Sequence, residues 1–179
     1  MQLQKELAER KATEQHTETL IEELKIKNAE SETLRESLSS IVGTFQFTEI
    51  IQQILDQIRR VIPYDSASVW RVEGNLQKLI IGRNLPSLMM AGNIEFYTDE
   101  SNSALPILTG NVPYILNNNV QEELSDFHEE PHTYVNSWLA IPLKTRGKII
   151  GIIALDGKEK GQFTEHHADL AVVFANQVA

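Results

Sequence analysis

The chain has no cysteine among its 179 residues. This absence excludes disulfides, zinc or iron–sulfur sites held by cysteine, thiol nucleophiles and chromophores attached through a thioether bond. No stretch approaches the roughly 18 consecutive apolar residues of a membrane-spanning helix, and the N-terminus MQLQKELAER lacks the apolar core of a secretory signal. We therefore expect a cytoplasmic protein with no direct membrane insertion, although an anchor could lie in a longer parent protein.

Positive charge is also scarce. The chain has 16 basic and 25 acidic residues, which gives a formal net charge of −9 at pH 7. The basic residues cluster only at Arg59-Arg60 and between Lys144 and Lys148. Because an excess of carboxylates repels phosphate backbones and anionic lipid headgroups, nucleic acid is not an expected partner.

The first 42 residues lack glycine, proline and aromatic residues, whereas every aromatic residue of the chain follows Gly43. This change of composition predicts a domain boundary, with a helical linker over residues 1–42 and a folded domain over residues 43–179. Glutamate, lysine and leucine dominate the linker, and Glu6/Arg10 and Glu23/Lys27 have the spacing that stabilises a helix.

The linker fits a coiled coil only weakly. Its two heptad phases score about equally, so a solvated helix and a parallel coiled coil both remain open. The first phase places these residues on the seam, half of them polar: Leu3, Leu7, Arg10, Glu14, Thr17, Ile21, Leu24, Asn28, Ser31, Arg35, Leu38 and Val42. The second phase runs through Leu20, Leu24, Leu34, Leu38 and Ile41.

Two amphipathic helices are predicted at the ends of the second region. In FTEIIQQILDQIRRVIP, Thr48 is a candidate N-cap and Pro63 ends the helix. Its predicted apolar face consists of Phe47, Ile50, Ile51, Ile54, Ile58 and Val61. Thr164 is the candidate cap of the second helix, TEHHADLAVVFANQVA, which carries no glycine or proline stop signal. We therefore expect the chain to be a fragment that stops within a helix.

The sequence between these helices reads as strands and turns. SASVWRVEGNLQKLIIGR predicts a hairpin across Glu73-Gly74-Asn75, and SWLAIPLKT with KIIGIIALD predicts a second hairpin across Arg146-Gly147. Short strands are predicted at residues 94–97 and in VPYIL. The segment SNSALPILTG predicts a brief helix that Ser101 or Ser103 caps and Gly110 ends.

The loop FHEEPHTY contains a match to H-E-x-x-H, the pattern of zinc proteases. That chemistry needs His128 and His132 one helical turn apart, with Glu129 as general base. Pro131 lies inside this turn and disfavours helix for the residue before it. It also comes two residues too early for the H-E-x-x-x-P box of histidine kinases. We therefore predict a polar loop with two solvated histidines and no metal site.

The order of elements, together with three segments, resembles the GAF domain over residues 44–179. The segments are TGNVPYI, SWLAIPLKTRGKIIGIIALD and QFTEHHADLAVVFANQVA. The resemblance implies a PAS-related α+β fold with a central antiparallel sheet of about six strands flanked by helices and a long N-terminal helix before it. The first and last helices would pack on one face of the sheet, and short helices and loops would cover the other.

The resemblance also implies a ligand pocket between the sheet and the covering loops. The residues that would build it are Ser68, Trp70, Phe96, Tyr97, Leu105, Thr109, Tyr114, Asn117, His128, His132, Tyr134 and Trp138. A structural interpretation remains open for each of them, since aromatic residues dominate cores generally. Trp70, Phe96, Leu105 and Trp138 would then fill the core, and Ser68 or Asn117 would be satisfied strand or turn residues.

Departures from better-known branches of the family limit the ligand. Cyclic-nucleotide-binding members carry Asn-Lys…Phe-x-x-x-Asp-Glu, whereas here Asp156 stands near the Asn position and His167-Ala168 replaces Asp-Glu. Bilin attachment and the free-methionine sulfoxide reductases of this fold need cysteine. Haem ligation by His128 or His132 remains open, so the cofactor is unknown and no covalent chromophore is expected.

The family implies a sensory domain of a larger bacterial signalling protein. ERKATEQ and LIEELKIKNAE are similar to linker helices that join sensors to kinase outputs, which favours a sensor histidine kinase of a two-component system. We expect small-molecule binding, a homodimer through the flanking helices, and no catalysis, because Walker, G-x-G-x-x-G and nucleophile-elbow motifs are missing. The alternative is a ligand-free dimerisation module of a diguanylate cyclase or transcription regulator.

Overall fold

The computed structural model describes residues 20–22, 24–25, 27–28, 31–32, 47–90 and 94–177. Its contacts divide the chain into two units, Met1–Phe47 and Thr48–Ala179. In the first unit the described residues between 20 and 32 are helical, and Leu20, Ile21 and Leu24 are exposed. The predicted boundary between residues 42 and 43 and most positions of both heptad phases lie outside the described residues, so these remain predictions.

The second unit is built around one six-stranded antiparallel sheet, as predicted. Its spatial order is β3-β2-β1-β6-β5-β4. The strands are β1 (Ser66–Glu73), β2 (Leu76–Arg83), β3 (Glu95–Tyr97), β4 (Ile115–Asn117), β5 (Ser137–Thr145) and β6 (Lys148–Gly157). The helices are α1 (47–59), α2 (Ser87–Met90), α3 (Leu105–Leu108), α4 (Val120–Glu123) and α5 (Glu165–Ala175), with a 3₁₀ turn at Ser125–Phe127.

Both predicted hairpins form, with two-residue turns. The β5–β6 turn is Arg146-Gly147, and both residues have positive φ, 49° and 77°. Positive φ at both central residues matches the right-handed twist of the flanking strands and is tolerated most easily by glycine. The β1–β2 turn is Gly74-Asn75, with φ of 64° at Gly74. These turns set the register next to each loop, and the register shifts farther along, between Val69 and Trp70 and between Leu143 and Lys144.

Helix α1 buries only part of the predicted face: Ile51, Ile54 and Ile58 are buried as predicted, and Leu55 is buried in addition. Ile51, Leu55 and Ile58 are fully buried, and so is Ile62 beyond the helix, a spacing of four and three residues. Ile50 and Val61 of the predicted face are instead exposed, because the helix is rotated toward residues 55 and 62. The N-cap prediction at Thr48 is wrong, since residue 47 before it is already helical.

Alternation along the central strands separates two apolar layers. Ala67, Val69, Leu139, Ile153 and Leu155 are fully buried on one face, and α5 packs against β5. The other face carries the side chains that alternate with these. They form a separate apolar cluster with the short covering helices: Trp70, Trp138, Ala140, Ile152 and Ala154, with Met89, Ile107, Val120 and Phe127 above them. This second layer positions the candidate site.

Two local predictions around the covering segments need correction. Neither serine caps α3: Ala104 is its N-cap, and the Ala104 N–H donates to Asn102 Oδ1 at 3.0 Å. Ser103 instead donates its backbone N–H to Asp126 Oδ2 at 2.9 Å. Strand β4 is shorter than VPYIL and starts at Ile115, since Pro113 has no N–H for the ladder.

Gly151 lies where β1 and β6 approach closely. A Cβ at this position would stand 2.4 Å from the backbone oxygen of Trp70. Because backbone cannot move aside as a side-chain tip can, we expect Gly151→Ala to lower the free energy of unfolding by roughly 1–3 kcal/mol. Urea unfolding followed by circular dichroism measures this, and an unchanged midpoint would show that the two strands can separate without cost.

Helix α5 begins after its predicted N-cap, Thr164, which forms a capping box with His167. Thr164 Oγ1 accepts a hydrogen bond from the His167 N–H at 3.2 Å, and His167 Nδ1 accepts one from the Thr164 N–H at 3.3 Å. The helix ends at Ala175 with Asn176 as C-cap, earlier than predicted.

Removal of the cap oxygen at Thr164 should weaken the start of α5. We expect Thr164→Ala to cost about 1 kcal/mol of unfolding free energy, because the His167 N–H loses its acceptor. Thr164→Ser keeps the hydroxyl and serves as the matched control. Equal losses in the two variants, measured by thermal unfolding, would contradict a capping role.

Candidate functional site

A cavity of about 70 Å³ lies on the sheet face that α2, α3 and the 3₁₀ turn cover. We refer to it as the Asp156 cavity. The sheet contributes Ser68, Trp70, Gln77, Phe96, Trp138, Ile152, Ala154 and Asp156. The covering segments contribute Leu85, Met89, Asn102, Ala104, Asp126, Phe127, His132 and Tyr134.

Five rings form a continuous series along the wall of the cavity. Adjacent ring centroids are 5.1 Å apart for Trp70 and Phe96, 5.6 Å for Phe96 and His132, 5.3 Å for His132 and Phe127, and 5.1 Å for Phe127 and Trp138. All four pairs are tilted, the arrangement that aromatic quadrupoles favour over face-to-face stacking. The rings therefore form a rigid apolar wall.

The main polar feature of the cavity is the carboxyl group of Asp156 at the end of β6. The register pairs Asp156 with Ser66 on β1 and with Trp138 on β5. Its Oδ2 accepts hydrogen bonds from Ser66 Oγ at 2.7 Å and from Tyr134 OH at 3.2 Å. Among the described residues Oδ1 has no such partner. One oxygen of a buried carboxylate is therefore left to accept a further hydrogen bond.

Burial shifts the acidity of three groups around the cavity. It raises the pKa of Asp156 to about 6, and the hydrogen bonds from Ser66 and Tyr134 offset this only in part. Burial, followed by the charge of Asp156, raises the pKa of the Tyr134 phenol well above its ordinary value. Burial also lowers the pKa of His132, so its imidazole is neutral at pH 7.

A side-chain network holds the covering loop in place. Gln121 Nε2 donates to the backbone oxygens of Phe127 at 3.0 Å and Val135 at 2.7 Å. Both carboxylate oxygens of Asp126 accept from Ser103, one from its N–H and one from its hydroxyl. These bonds hold the loop that carries Phe127 and His132, and they give each carboxylate oxygen of Asp126 one hydrogen bond.

Six of the twelve predicted pocket residues line the cavity. They are Ser68, Trp70, Phe96, His132, Tyr134 and Trp138. Ser68 Oγ accepts a hydrogen bond from Trp70 Nε1 at 2.8 Å, which fixes the indole. The predicted set therefore includes four lining residues from the sheet and two from the covering loop.

The other six predicted residues lie elsewhere. Tyr97 is 68% exposed, and Leu105 is half-buried on α3. The remaining four make hydrogen bonds outside the cavity. Three of these bonds join residues close in the chain: Thr109 Oγ1 to the Leu105 oxygen, Asn117 Nδ2 to Glu123 Oε2, and His128 Nε2 with the Gln121 oxygen. The fourth joins Tyr114 OH to Glu165 Oε2. The structure does not bring them to the cavity.

Asp156, whose carboxyl group is the main polar feature of the site, is not among the predicted pocket residues. Asp156 continues the alternation Ile152, Ala154, Asp156 on one face of β6, so strand periodicity could have found it. Met89 and Asp126 come from covering segments whose path the sequence pattern does not specify. No signal in the sequence indicated them.

The H-E-x-x-H match does not form a zinc site in the described part of the chain. Residues 128–132 are bends and turns rather than helix. Within the described residues, no group of three or more histidine, aspartate or glutamate side chains could hold a metal ion. Proline at position 131 explains why this segment does not form the helix that a zincin needs.

The GAF domain model matches residues 46–179. The chain belongs to the GAF domain family. No curated protein sequence matches it significantly. This GAF domain is similar in fold to three solved structures of low sequence identity.

The first of these is the GAF domain/HD domain protein from Geobacter sulfurreducens, with a TM-score of 0.63 and 12% identity over 76% of this chain and 91% of that one. The second is the type II free methionine-R-sulfoxide reductase from Thermoplasma acidophilum. Its TM-score is 0.60, and its sequence identity is 16% over 76% of this chain and 91% of that one. The third is a domain of a protein described as a two-component sensor histidine kinase from Sinorhizobium meliloti 1021. Its TM-score is 0.55, and its sequence identity is 17% over 73% of this chain and 85% of that one. At these identities the likeness shows the fold.

No helix among the described residues has the length and apolar character needed to cross a membrane.

Proposed function

We propose that this GAF domain is the sensory domain of a multidomain bacterial signalling protein and binds a small molecule in the Asp156 cavity. The observation that carries the proposal is a buried aspartate, Asp156, that lines a cavity with aromatic walls and whose Oδ1 receives no hydrogen bond from the described residues. A concave apolar site with a few convergent polar groups is the usual form of a small-molecule pocket. A residue with a pKa raised by burial supports the same assignment.

The output we propose is a histidine kinase. Two features support it: the Glu/Leu-rich leading segment, which is similar to kinase linker helices, and the structural neighbour described as a sensor histidine kinase. The domain itself would catalyse no reaction. Ligand binding would change the rotation or register of the flanking helices, which pass the change to the output domain.

We further propose that the domain forms a homodimer through its flanking helices. Ile50 on α1, Val61 just after it and Val173 on α5 are 48%, 46% and 57% exposed. Leu20, Ile21 and Leu24 in the first unit are exposed as well. Association of such side chains with a second copy would remove apolar surface from water, which favours dimerisation.

Native mass spectrometry of the purified chain tests binding and dimerisation together. We expect a dimer that carries additional non-covalent mass. A variant with Ile50→Lys and Val173→Lys should be monomeric and keep the bound mass, because neither residue lines the cavity. A dimer at bare polypeptide mass would favour the ligand-free dimerisation module, and a bare monomer would contradict both proposals.

The helix movement needs a separate experiment. Cysteines introduced one at a time at Ile21, which lies on the seam only in the first heptad phase, and at Leu20, which lies on it only in the second, sample the two phases, and the chain has no other cysteine to interfere. The ratio of cross-linked products should change when the retained molecule is removed and then restored. An unchanged ratio would contradict a register shift.

A further inference from the structure

The charged groups of the Asp156 cavity are unbalanced. Asp156 and Asp126 both line it, whereas none of the described lining residues is lysine or arginine. His132 is buried with a lowered pKa and supplies no positive charge at neutral pH. The cavity is therefore a site of negative potential enclosed by apolar walls.

Of the two carboxylates, only Asp156 has an oxygen that receives no hydrogen bond from the described residues. Its side chain is 7% exposed, and Oδ1 is free of hydrogen bonds from the described residues while Ser66 and Tyr134 hold Oδ2. Asp126, in contrast, accepts from Ser103 at both oxygens. A ligand with an N–H group would satisfy Oδ1, and a positive charge on that group would make the bond stronger.

The aromatic wall favours the same kind of ligand. Trp70, Phe96, Phe127 and Trp138 all line the cavity, and the face of an aromatic ring carries negative potential. A cation held at Asp156 would lie among these rings, and its apolar part would be removed from water. An anion would face two carboxylates and the ring faces, so it would be rejected.

We propose that the Asp156 cavity binds a small organic cation whose N–H group donates to Asp156 Oδ1 and whose apolar body packs against the aromatic rings. This proposal rests on the proposed sensory function and specifies the chemical class of its ligand.

The size of the cavity limits the ligand. A cavity of about 150 Å³ lined by apolar residues accommodates benzene. The Asp156 cavity, at about 70 Å³, therefore fits a body smaller than benzene, such as a branched alkyl group of four carbons. Isobutylamine is a suitable probe, and isobutanol and isobutyrate are its neutral and anionic counterparts. Ligands of this size bind weakly, so the expected Kd is in the millimolar range.

The binding of such a cation should depend on pH through Asp156. The groups that face its carboxyl are Ser66 on β1 and Tyr134 from the covering loop, with Asp65 near enough to raise its pKa. His132 and Asp126 line the same cavity. Since the pKa of Asp156 is about 6, the carboxyl gains a proton below that pH and the affinity for a cation should fall.

Tryptophan fluorescence reports binding directly, because the only two tryptophans of the chain, Trp70 and Trp138, both line the cavity. At pH 7.5 and matched ionic strength, isobutylamine should give a saturable change with an affinity at least about tenfold higher than that of isobutanol, as expected for a charge-assisted bond. Isobutyrate should give none. Asp156→Asn should remove the preference for the amine, and Glu129→Gln, which removes an exposed charge outside the cavity, should keep it.

The outcomes separate this proposal from the sensory function. If isobutanol or isobutyrate binds as tightly as the amine, the cation preference is wrong while a small-molecule site remains. If the amine binds equally to Asp156→Asn, the carboxyl is not its partner and the proposal fails. If no probe binds, the proposal fails as well, and bound mass in the native spectrum then decides the sensory function independently. An amine affinity that is unchanged from pH 7.5 to pH 5 would also overturn it.

Discussion

Replacement of Asp156 by asparagine is expected to stabilise the domain at pH 7.5, although it removes the polar centre of the site. The pKa of Asp156 rises from an ordinary value of 3.8 to about 6 through burial. The native state therefore opposes ionisation of this group, by an amount on the order of 3 kcal/mol. Asparagine has the same shape, carries no charge, and still accepts hydrogen bonds from Ser66 and Tyr134.

The direction of the pH dependence follows from the raised pKa. Between pH 4 and 6 the folded protein binds more protons at Asp156 than the unfolded chain does. The stability that the protonated acid provides is complete below the unfolded pKa of about 3.8 and is lost as the pH rises through about 6. Asp156→Asn removes this loss. The free energy of unfolding of the variant should therefore exceed that of the wild type by an amount that grows from near zero at pH 4 to roughly 2–3 kcal/mol at pH 7.5.

Urea unfolding at several pH values measures that difference. Comparison with the wild type cancels the contribution of His132, whose lowered pKa acts in the opposite direction. Glu129→Gln is the control for the loss of one negative charge at an exposed position. A variant that is less stable than the wild type at pH 7.5 would show that the ionised carboxylate contributes to the fold. Stabilisation would instead indicate that the carboxylate is retained for binding at a cost in stability.

Truncation of Phe163 should have the largest destabilising effect among single substitutions near α5. Phe163 is 2% exposed, and its ring meets His167 edge-on with 6.5 Å between centroids. The amide of Asn118 holds its backbone, donating to the Phe163 oxygen at 2.8 Å and accepting from the Phe163 N–H at 3.1 Å. We expect Phe163→Ala to cost roughly 3–5 kcal/mol, because the backbone is fixed and a cavity would remain.

Two controls separate this packing effect from a change in helix propensity. Phe163→Leu keeps most of the apolar volume and should cost less than half as much. His166→Ala on the exposed side of α5 should change the free energy of unfolding by less than about 0.5 kcal/mol. The measurement is the midpoint of urea unfolding. A loss below about 1 kcal/mol in Phe163→Ala would show that the segment before α5 collapses into the space.

The helical predictions succeeded where local chemistry decides the structure. The capping box at Thr164 and His167 fixes the start of α5 through groups three residues apart. The apolar face of α1 was only partly predicted, since Ile50 and Val61 are as apolar as Leu55 and Ile62. Which of them is buried depends on the layer that the helix meets.

The predictions for the candidate site were likewise correct for some residues and wrong for others. Ser68, Trp70 and Trp138 lie on long strands whose alternation the sequence displays, and all three line the cavity. Thr109 and Asn117 were predicted for the same pocket, but they satisfy local hydrogen bonds outside it. The two turns and the alternation of each strand could be read from the sequence, whereas the register shifts within the hairpins and the path of the covering segments could not.

The sequence by itself determined the family, the six-stranded sheet and both hairpins, because turn residues and period-two alternation act over a few positions. Only the tertiary structure decided that Asp126 and Met89 meet Asp156 across one cavity. These residues are far apart in the chain, and loop hydrogen bonds such as those of Gln121 and Ser103 bring them together. Burial then sets the acidity of Asp156, and burial is a property of the assembled fold rather than of any segment.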